Sequence, residues 1–164
     1  MPIAKMLLPE LDQEMAKTRQ VLERVPEDRP DYRPHAKSMA LGRLARHLAE
    51  IPVWGVRALT LESFDIPATR GPGAVMTSRK ELLETFDANV GAVRQALADM
   101  SDEAMGVNWT LTHGGKAVFA LPRFAVLRAM MVSHMIHHRA QLGVYLRLLD
   151  VPIPGMYGPS ADES

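Results

Sequence analysis

Apolar residues return at helical spacing in several stretches of the chain. In the first, Leu7, Leu11, Met15 and Leu22 share one face, which predicts a helix from about Ile3 to Arg24. Pro26, Pro30 and Pro34 follow and cannot continue it, because proline lacks the N–H that the helical ladder requires. A second stretch carries Leu41, Leu44, Leu48, Ile51 and Leu59. It predicts a helix from about Ser38, a side chain suited to an N-cap, to about Phe64, with a kink or local break at Pro52. The segment IPATRGPGAVM then reads as a loop. A third helix opens at Thr77 or Ser78 and ends near Asp99, with Ser78 and Glu81 at the spacing of a capping box. Its core face is Leu82, Leu83, Phe86, Val90, Val93 and Leu97.

From Asn108 the period changes. NWTLT and AVFAL flank HGGK, which predicts a β-hairpin over Asn108–Leu121 turning at Gly114 and Gly115. Pro122 suits the first turn of a fourth helix that runs to about Asp150 and is the most apolar of the set. The tail VPIPGMYGPSADES is too rich in Pro and Gly to be a fifth helix. The pattern predicts an all-α fold, a four-helix bundle with a long crossover and a short β-hairpin before the last helix. With 164 residues, one domain over 1–164 is expected, large enough to bury a core without disulfide or metal staples.

Charge and composition narrow the function. Lys plus Arg number 19 and Asp plus Glu number 19, so no net field draws nucleic acid or an anionic membrane. Cysteine is absent, which removes disulfides, a cysteine nucleophile and thiolate ligands, and fits a reducing compartment. The start MPIAKMLLPE lacks the layout of a signal peptide and no apolar run is long enough to span a bilayer, so a cytoplasmic location is expected. No P-loop, G-x-S-x-G or G-x-G-x-x-G motif occurs.

The histidines carry the chemistry. Six are present, and three lie within HMIHHRAQLG on the fourth helix. At about 100° per residue, His138 falls roughly 40° from His134, among Leu127, Met131, Leu142 and Tyr145. Both imidazoles are thus expected in the middle of the apolar stripe, with His137 at its edge and Arg139 on the far side. Burying a polar group without a partner costs about 1–3 kcal/mol on mutational scales. Rings at i and i+4 aim at one point, as in the H-E-x-x-H helices that hold zinc, and a divalent cation would satisfy both. A hydrogen-bonded pair of core histidines is the plainer alternative. The Glu of H-E-x-x-H is missing, since position 135 is Met and position 137 is His.

His47 is the preferred third ligand, because Leu44 and Ile51 flank it one turn away and place it beside the apolar stripe. His35 and His113 fall in predicted loops, where histidines are more often solvated. Three nitrogen ligands with an open position describe a catalytic rather than a structural metal site. Gln141, one turn past His137 and His138, could orient a ligand from behind, and Tyr145 on the inner face could donate a proton; these two are the catalytic candidates. Trp54 and Trp109 could line a pocket, while Met130, Met131 and Met135 read as core filler.

His47 followed by EIPVW, together with HMIHHRAQLGVYLRLLDVPIPGMYGPSADE, resembles the DinB-like family, which takes in the YfiT-like proteins and the bacillithiol- and mycothiol-dependent transferases. The resemblance spans nearly the whole chain and is strongest in H-x-x-H-H-R-x-Q-L and in the closing YGPSADE. It departs from the family pattern at Ala140, where a Gly is common. The resemblance implies a four-helix bundle, often a homodimer, with one divalent transition metal, zinc or nickel, on His47, His134 and His138.

Two enzymatic readings and one other follow. The first is transfer of a low-molecular-weight thiol onto a small electrophile, in which the cosubstrate brings the sulfur that the protein lacks. The second is metal-assisted hydrolysis, for which the carboxylate nearest His47 in sequence is Glu50, read as pointing away from the apolar stripe. The third is a non-enzymatic, metal-binding stress-response protein.

Overall fold

The computed structural model describes residues 2–69, 71 and 73–163. Arg70 and Pro72 of the expected loop, and Ser164 at the end of the tail, lie outside the described residues.

Helix α1 spans Ile3–Leu22 and buries Leu11, Met15 and Leu22, the face its spacing predicts. The predicted second helix divides. Helix α2 spans Leu41–Glu50 and α3 spans Pro52–Thr60, with Pro52 in the first turn of α3 where its missing N–H costs nothing. Ile51 between them keeps helical dihedrals (φ −55°, ψ −39°), so the two run on as a nearly continuous rod. Ser38 does not cap this rod; Ala40 holds the N-cap position, with no side-chain bond. Phe64 is not helical either. Leu61 turns extended (φ −103°, ψ 159°), and Ser63–Ile66 forms strand β1.

Helix α4 spans Arg79–Ala98 and is capped as expected, Ser78 Oγ accepting from the Glu81 N–H at 3.1 Å. The Glu81 carboxylate reaches Arg46 on α2 and Thr85. It therefore ties two helices together. A short α5, Asp102–Gly106, was not foreseen.

The hairpin is strands β2 (Asn108–His113) and β3 (Lys116–Pro122). Gly114 and Gly115 turn it with φ of 56° and 77°, the left-handed pair that a two-residue hairpin loop demands. Strand β1 adds in parallel to β2, so the hairpin is part of a three-stranded sheet. The all-α expectation is corrected to that extent: the chain is mostly helical with a small sheet. Trp109 and Leu111 of β2 pack with Ala58 and Val126 into a second apolar cluster beside the main core.

The last helical run has three parts. Helix α6 spans Arg123–Val126, a π-helical stretch spans Leu127–Ser133, and α7 spans His134–Leu148. Pro122 ends β3 and at the same time holds the N-cap position of α6, one residue before its first turn. The π turn changes the phase of everything after it, because its bonds close on the fifth residue instead of the fourth. The core gathers Leu11, Met15, Leu44, Leu48, Phe86, Val93, Met131, Met135, Leu142 and Leu146 between these helices. Helix α7 packs on α1 and α2, and α4 packs on α1, α2 and α3.

One buried polar link crosses this core. Arg139 does not lie on a solvent side of α7 but is 3% exposed, its Nη2 2.6 Å from Glu14 Oε2 on α1. Its Nη1 donates to the Glu14 carbonyl, and the Tyr157 hydroxyl bridges the pair, accepting from Arg139 at 2.7 Å and donating to Glu14 at 2.8 Å. The tail is pinned by this contact and by Asp162, which accepts from Arg147 and from the Ile153 N–H. Among the described residues, no helix is long and apolar enough to cross a membrane.

Candidate metal centre

His134 opens α7 directly after the π turn, and His138 follows one turn on. The buried face of α7 is Met135, Arg139, Leu142, Tyr145 and Leu146, centred roughly 90° around the helix from His134. The two imidazoles therefore sit at the edge of the buried face and not in its middle, and both are half-buried. Placement at the edge is what lets them meet α2, which packs alongside. His47 in the last turn of α2 completes the group.

The three rings converge through their Nε2 atoms. His138 Nε2 is 2.9 Å from His134 Nε2, and His47 Nε2 is 3.3 Å from the same atom. Ring centroids lie 4.7–5.1 Å apart. The hydrogen bonds on the other ring nitrogens decide what these atoms can do. His134 Nδ1 faces the Met130 carbonyl at 3.3 Å, and His138 Nδ1 faces Gln141 Oε1 at 2.7 Å. Oxygen acceptors cannot donate, so both Nδ1 atoms carry the proton and both Nε2 atoms carry a lone pair. Two lone pairs at van der Waals distance repel unless something positive lies between them.

Burial first, and the neighbouring His137 in addition, push His134 below the ordinary histidine value, against the pull of the Met130 carbonyl. Burial does the same to His138, helped by His134 and His137 and opposed by Gln141. Both are neutral at neutral pH, the state in which imidazole binds a metal. A tetrahedral ion with metal–nitrogen bonds of about 2.0–2.1 Å needs ligand nitrogens about 3.3–3.4 Å apart. The His47–His134 separation matches, and the His134–His138 pair would open slightly. The donor set fits a divalent transition ion. These three residues form the one group among the described residues that could hold a metal.

The other candidates fall elsewhere. His35 is exposed, its Nδ1 accepting from the Lys37 N–H, and His113 pairs with Lys116 at the hairpin end. His137 is exposed, its ring centroid 4.9 Å from that of His138. Gln141 takes the orienting position that its spacing suggests. Tyr145, the other catalytic candidate, stands further along α7. It lies about 10 Å along the helix from His138, and its hydroxyl donates to the Met39 carbonyl at 3.0 Å. Trp109 is fully buried under the sheet, while Trp54 does line a cavity.

That cavity, of about 680 Å³, opens beside His47 between the α2–α3 rod, β1 and the loop after it. Glu50 lines it too, 2.8 Å from Arg46. The reading that set Glu50 apart from the site held only for the apolar stripe. Arg43, Arg57 and Phe64 complete the wall and were missed, although the spacing 43, 47, 50, 54, 57 marks one helical face.

The sequence model of the DinB family matches residues 1–164. The uncharacterized protein YrdA of Bacillus subtilis (strain 168) is 27% identical over 129 residues, covering 78% of this chain and 72% of YrdA. Among solved structures, a DinB-like protein from Bacillus cereus ATCC 10987 superposes with a TM-score of 0.73 at 21% identity, over 95% of this chain and 98% of its own. The DinB-like protein YjoA from Bacillus subtilis gives 0.66 at 15% identity, over 90% of this chain and 96% of its own. At these identities the two structures speak for the fold alone.

Proposed function

This chain belongs to the DinB family, and from that premise we propose that it is a metal-dependent transferase of a low-molecular-weight thiol onto small electrophiles. The observation that carries the reading is the convergence of three Nε2 atoms, two of them on neutral rings fixed in tautomer from behind. A divalent ion held by His47, His134 and His138 would supply Lewis acidity at an open position, lowering the pKa of a thiol that enters it.

The chain's own residues provide the rest. Gln141 and the Met130 carbonyl hold the rings and keep Nε2 free of protons. The cavity beside His47 admits a small molecule, its volume lying within the usual range of about 300–1,000 Å³. Trp54 and Phe64, edge to face at 5.7 Å, offer an apolar surface that suits a soft electrophile such as an aryl halide or an epoxide. In the reaction the thiol sulfur bonds to the electrophilic carbon and its proton passes to solvent; an aryl halide loses halide, whereas an epoxide opens its C–O bond and the resulting alkoxide takes a proton back from solvent. Absence of cysteine from the chain agrees with a cosubstrate that brings its own sulfur.

Glu50 on the cavity wall favours a second reading, metal-assisted hydrolysis, in which that carboxylate would take a proton from water. Its bond to Arg46 and its approach to Arg43 weigh against a free base.

The test has two stages. Elemental analysis of protein purified without a metal-binding tag should find about one equivalent of divalent metal, lost in His134→Ala. A thiol panel (bacillithiol, mycothiol, glutathione, coenzyme A) against one chromogenic electrophile should then react faster with holo protein than with chelated protein. Equal rates for every thiol overturn the transferase reading. Metal retained in full by a His134→Ala, His138→Ala double variant overturns the site.

A further inference from the structure

The wall beside His47 carries more positive charge than thiol activation uses, and its arrangement is regular. Arg43, His47, Glu50, Trp54 and Arg57 follow one another at alternating steps of four and three residues, so they form a single line along α2 and α3. Pro52 does not break that line, because Ile51 stays helical and its N–H reaches the His47 carbonyl at 3.0 Å. Phe64 and Ile66 of β1 face it across the cavity.

Two residues of this line, Arg43 and Arg57, are cationic and one, Glu50, is anionic. Glu50 is hydrogen-bonded by Arg46, which also reaches Glu81 from outside the cavity lining. Arg43 Nη1 stands 3.9 Å from Glu50, too far for a hydrogen bond. Among the described residues that buried nitrogen has no hydrogen-bond partner. A buried charged donor left unsatisfied is costly, and a ligand that answers it regains that cost. The position of the guanidinium is built in. It closes on Gly73, whose φ of +76° favours glycine and where any Cβ would overlap the Arg43 side chain. The Arg57 guanidinium carbon stands 4.1 Å from the Phe64 ring centroid and 5.2 Å from that of Trp54.

We infer that this cavity binds a small organic anion, its carboxylate taken by the Arg43 guanidinium with Arg57 adding charge, and its apolar body laid against Trp54 and Phe64 next to His47. The inference deepens the reading above, since it takes the same cavity as the approach to the histidines. A guanidinium fork matches a carboxylate bidentately, and the match is stronger where water is partly excluded. The substrate or cosubstrate of this protein therefore carries a carboxylate a few bonds from its reacting atom.

The test compares phenylbutyrate with its neutral isostere phenylbutyramide, by calorimetry and by the indole N–H resonance of Trp54, in holo and in chelated protein. At neutral pH the carboxylate binds at least tenfold more tightly than the amide in both forms. Arg43→Met removes that preference while leaving metal content and the indole resonance of buried Trp109 unchanged, and Arg57→Met reduces it. Should Arg43→Met fail to fold, Arg43→Lys keeps the charge without the fork and still lowers the preference. Equal affinities of the two ligands, no binding of either at millimolar concentration, or a preference that survives Arg43→Met each overturn the inference. A preference that disappears only on chelation also overturns it, because the carboxylate then sits on the ion, and the metal reading is strengthened. An Arg43-dependent preference in a protein that purifies without metal does the reverse.

Discussion

Replacing Gln141 with Ala removes an exposed acceptor of the His138 ring, which makes it a measure of how far the metal affinity depends on orientation. Gln141 is exposed, and its Oε1 accepts the His138 Nδ1 proton at 2.7 Å. Loss of that bond frees the His138 ring to rotate and to carry its proton on Nε2, the atom that faces His134 at 2.9 Å. Removal of such outer partners typically weakens metal binding about 10–100-fold, or about 1.4–2.7 kcal/mol. Because Gln141 is exposed, water can take its place at modest cost, and the expected loss lies at the tenfold end. The assay is competition for metal against a chromogenic chelator at neutral pH. His138→Ala should lose far more affinity than Gln141→Ala, and Gln141→Glu, which keeps an acceptor and adds charge, should recover at least the wild-type value. The melting temperature of chelated protein should not move in Gln141→Ala. Wild-type metal affinity in Gln141→Ala, measured alongside a clear loss in His138→Ala, would refute the argument that the tautomer is set from behind.

Three further outcomes are expected. Arg139→Met leaves Glu14 charged and buried without its partner and should cost about 3–5 kcal/mol in urea denaturation, while pairing it with Glu14→Leu should recover most of the loss; a cost near zero for the single variant contradicts the buried link. Gly55→Ala puts a Cβ 2.5 Å from Met131 Sδ and Val93 Cγ2, so it should destabilise by about 1–3 kcal/mol, whereas Gly91→Ala, with open space around it on α4, should be neutral or stabilising by up to about 1 kcal/mol. Burial holds His134 and His138 below 6.5, so as pH falls through 6.5 the unfolded chain takes up more protons than the folded one and the chelated protein loses stability; thermal melts should show this loss, and a slope unchanged in a His134→Ala, His138→Ala double variant would assign it to other groups.

What the sequence determined by itself was local. The i, i+4 pair His134 and His138 must share a helical face whatever surrounds it, and Gln141 three residues on must reach the second ring. The Ser78 cap and the Gly114–Gly115 turn are likewise decided within a few residues, by one hydroxyl and by two positive φ angles. The apolar spacing of α1 and α4 needed nothing beyond its own period. Features that depend on partners far along the chain were decided only by the tertiary structure. Strand β1 has four residues and exists because β2, more than forty positions away, offers it a parallel edge. Arg139 looked like a surface cation until Glu14, 125 residues distant, gave it a buried counter-charge, and the π turn that rotates α7 could not be read from side-chain period. His47 was legible as a histidine beside an apolar stripe, but its meeting with His134 required α2 to pack on α7. The line from Arg43 to Arg57 was written in the spacing all along; only the fold, which keeps Ile51 helical beside Pro52, packs α2 and α3 on α4 and brings β1 opposite them, turned it into one wall of a cavity.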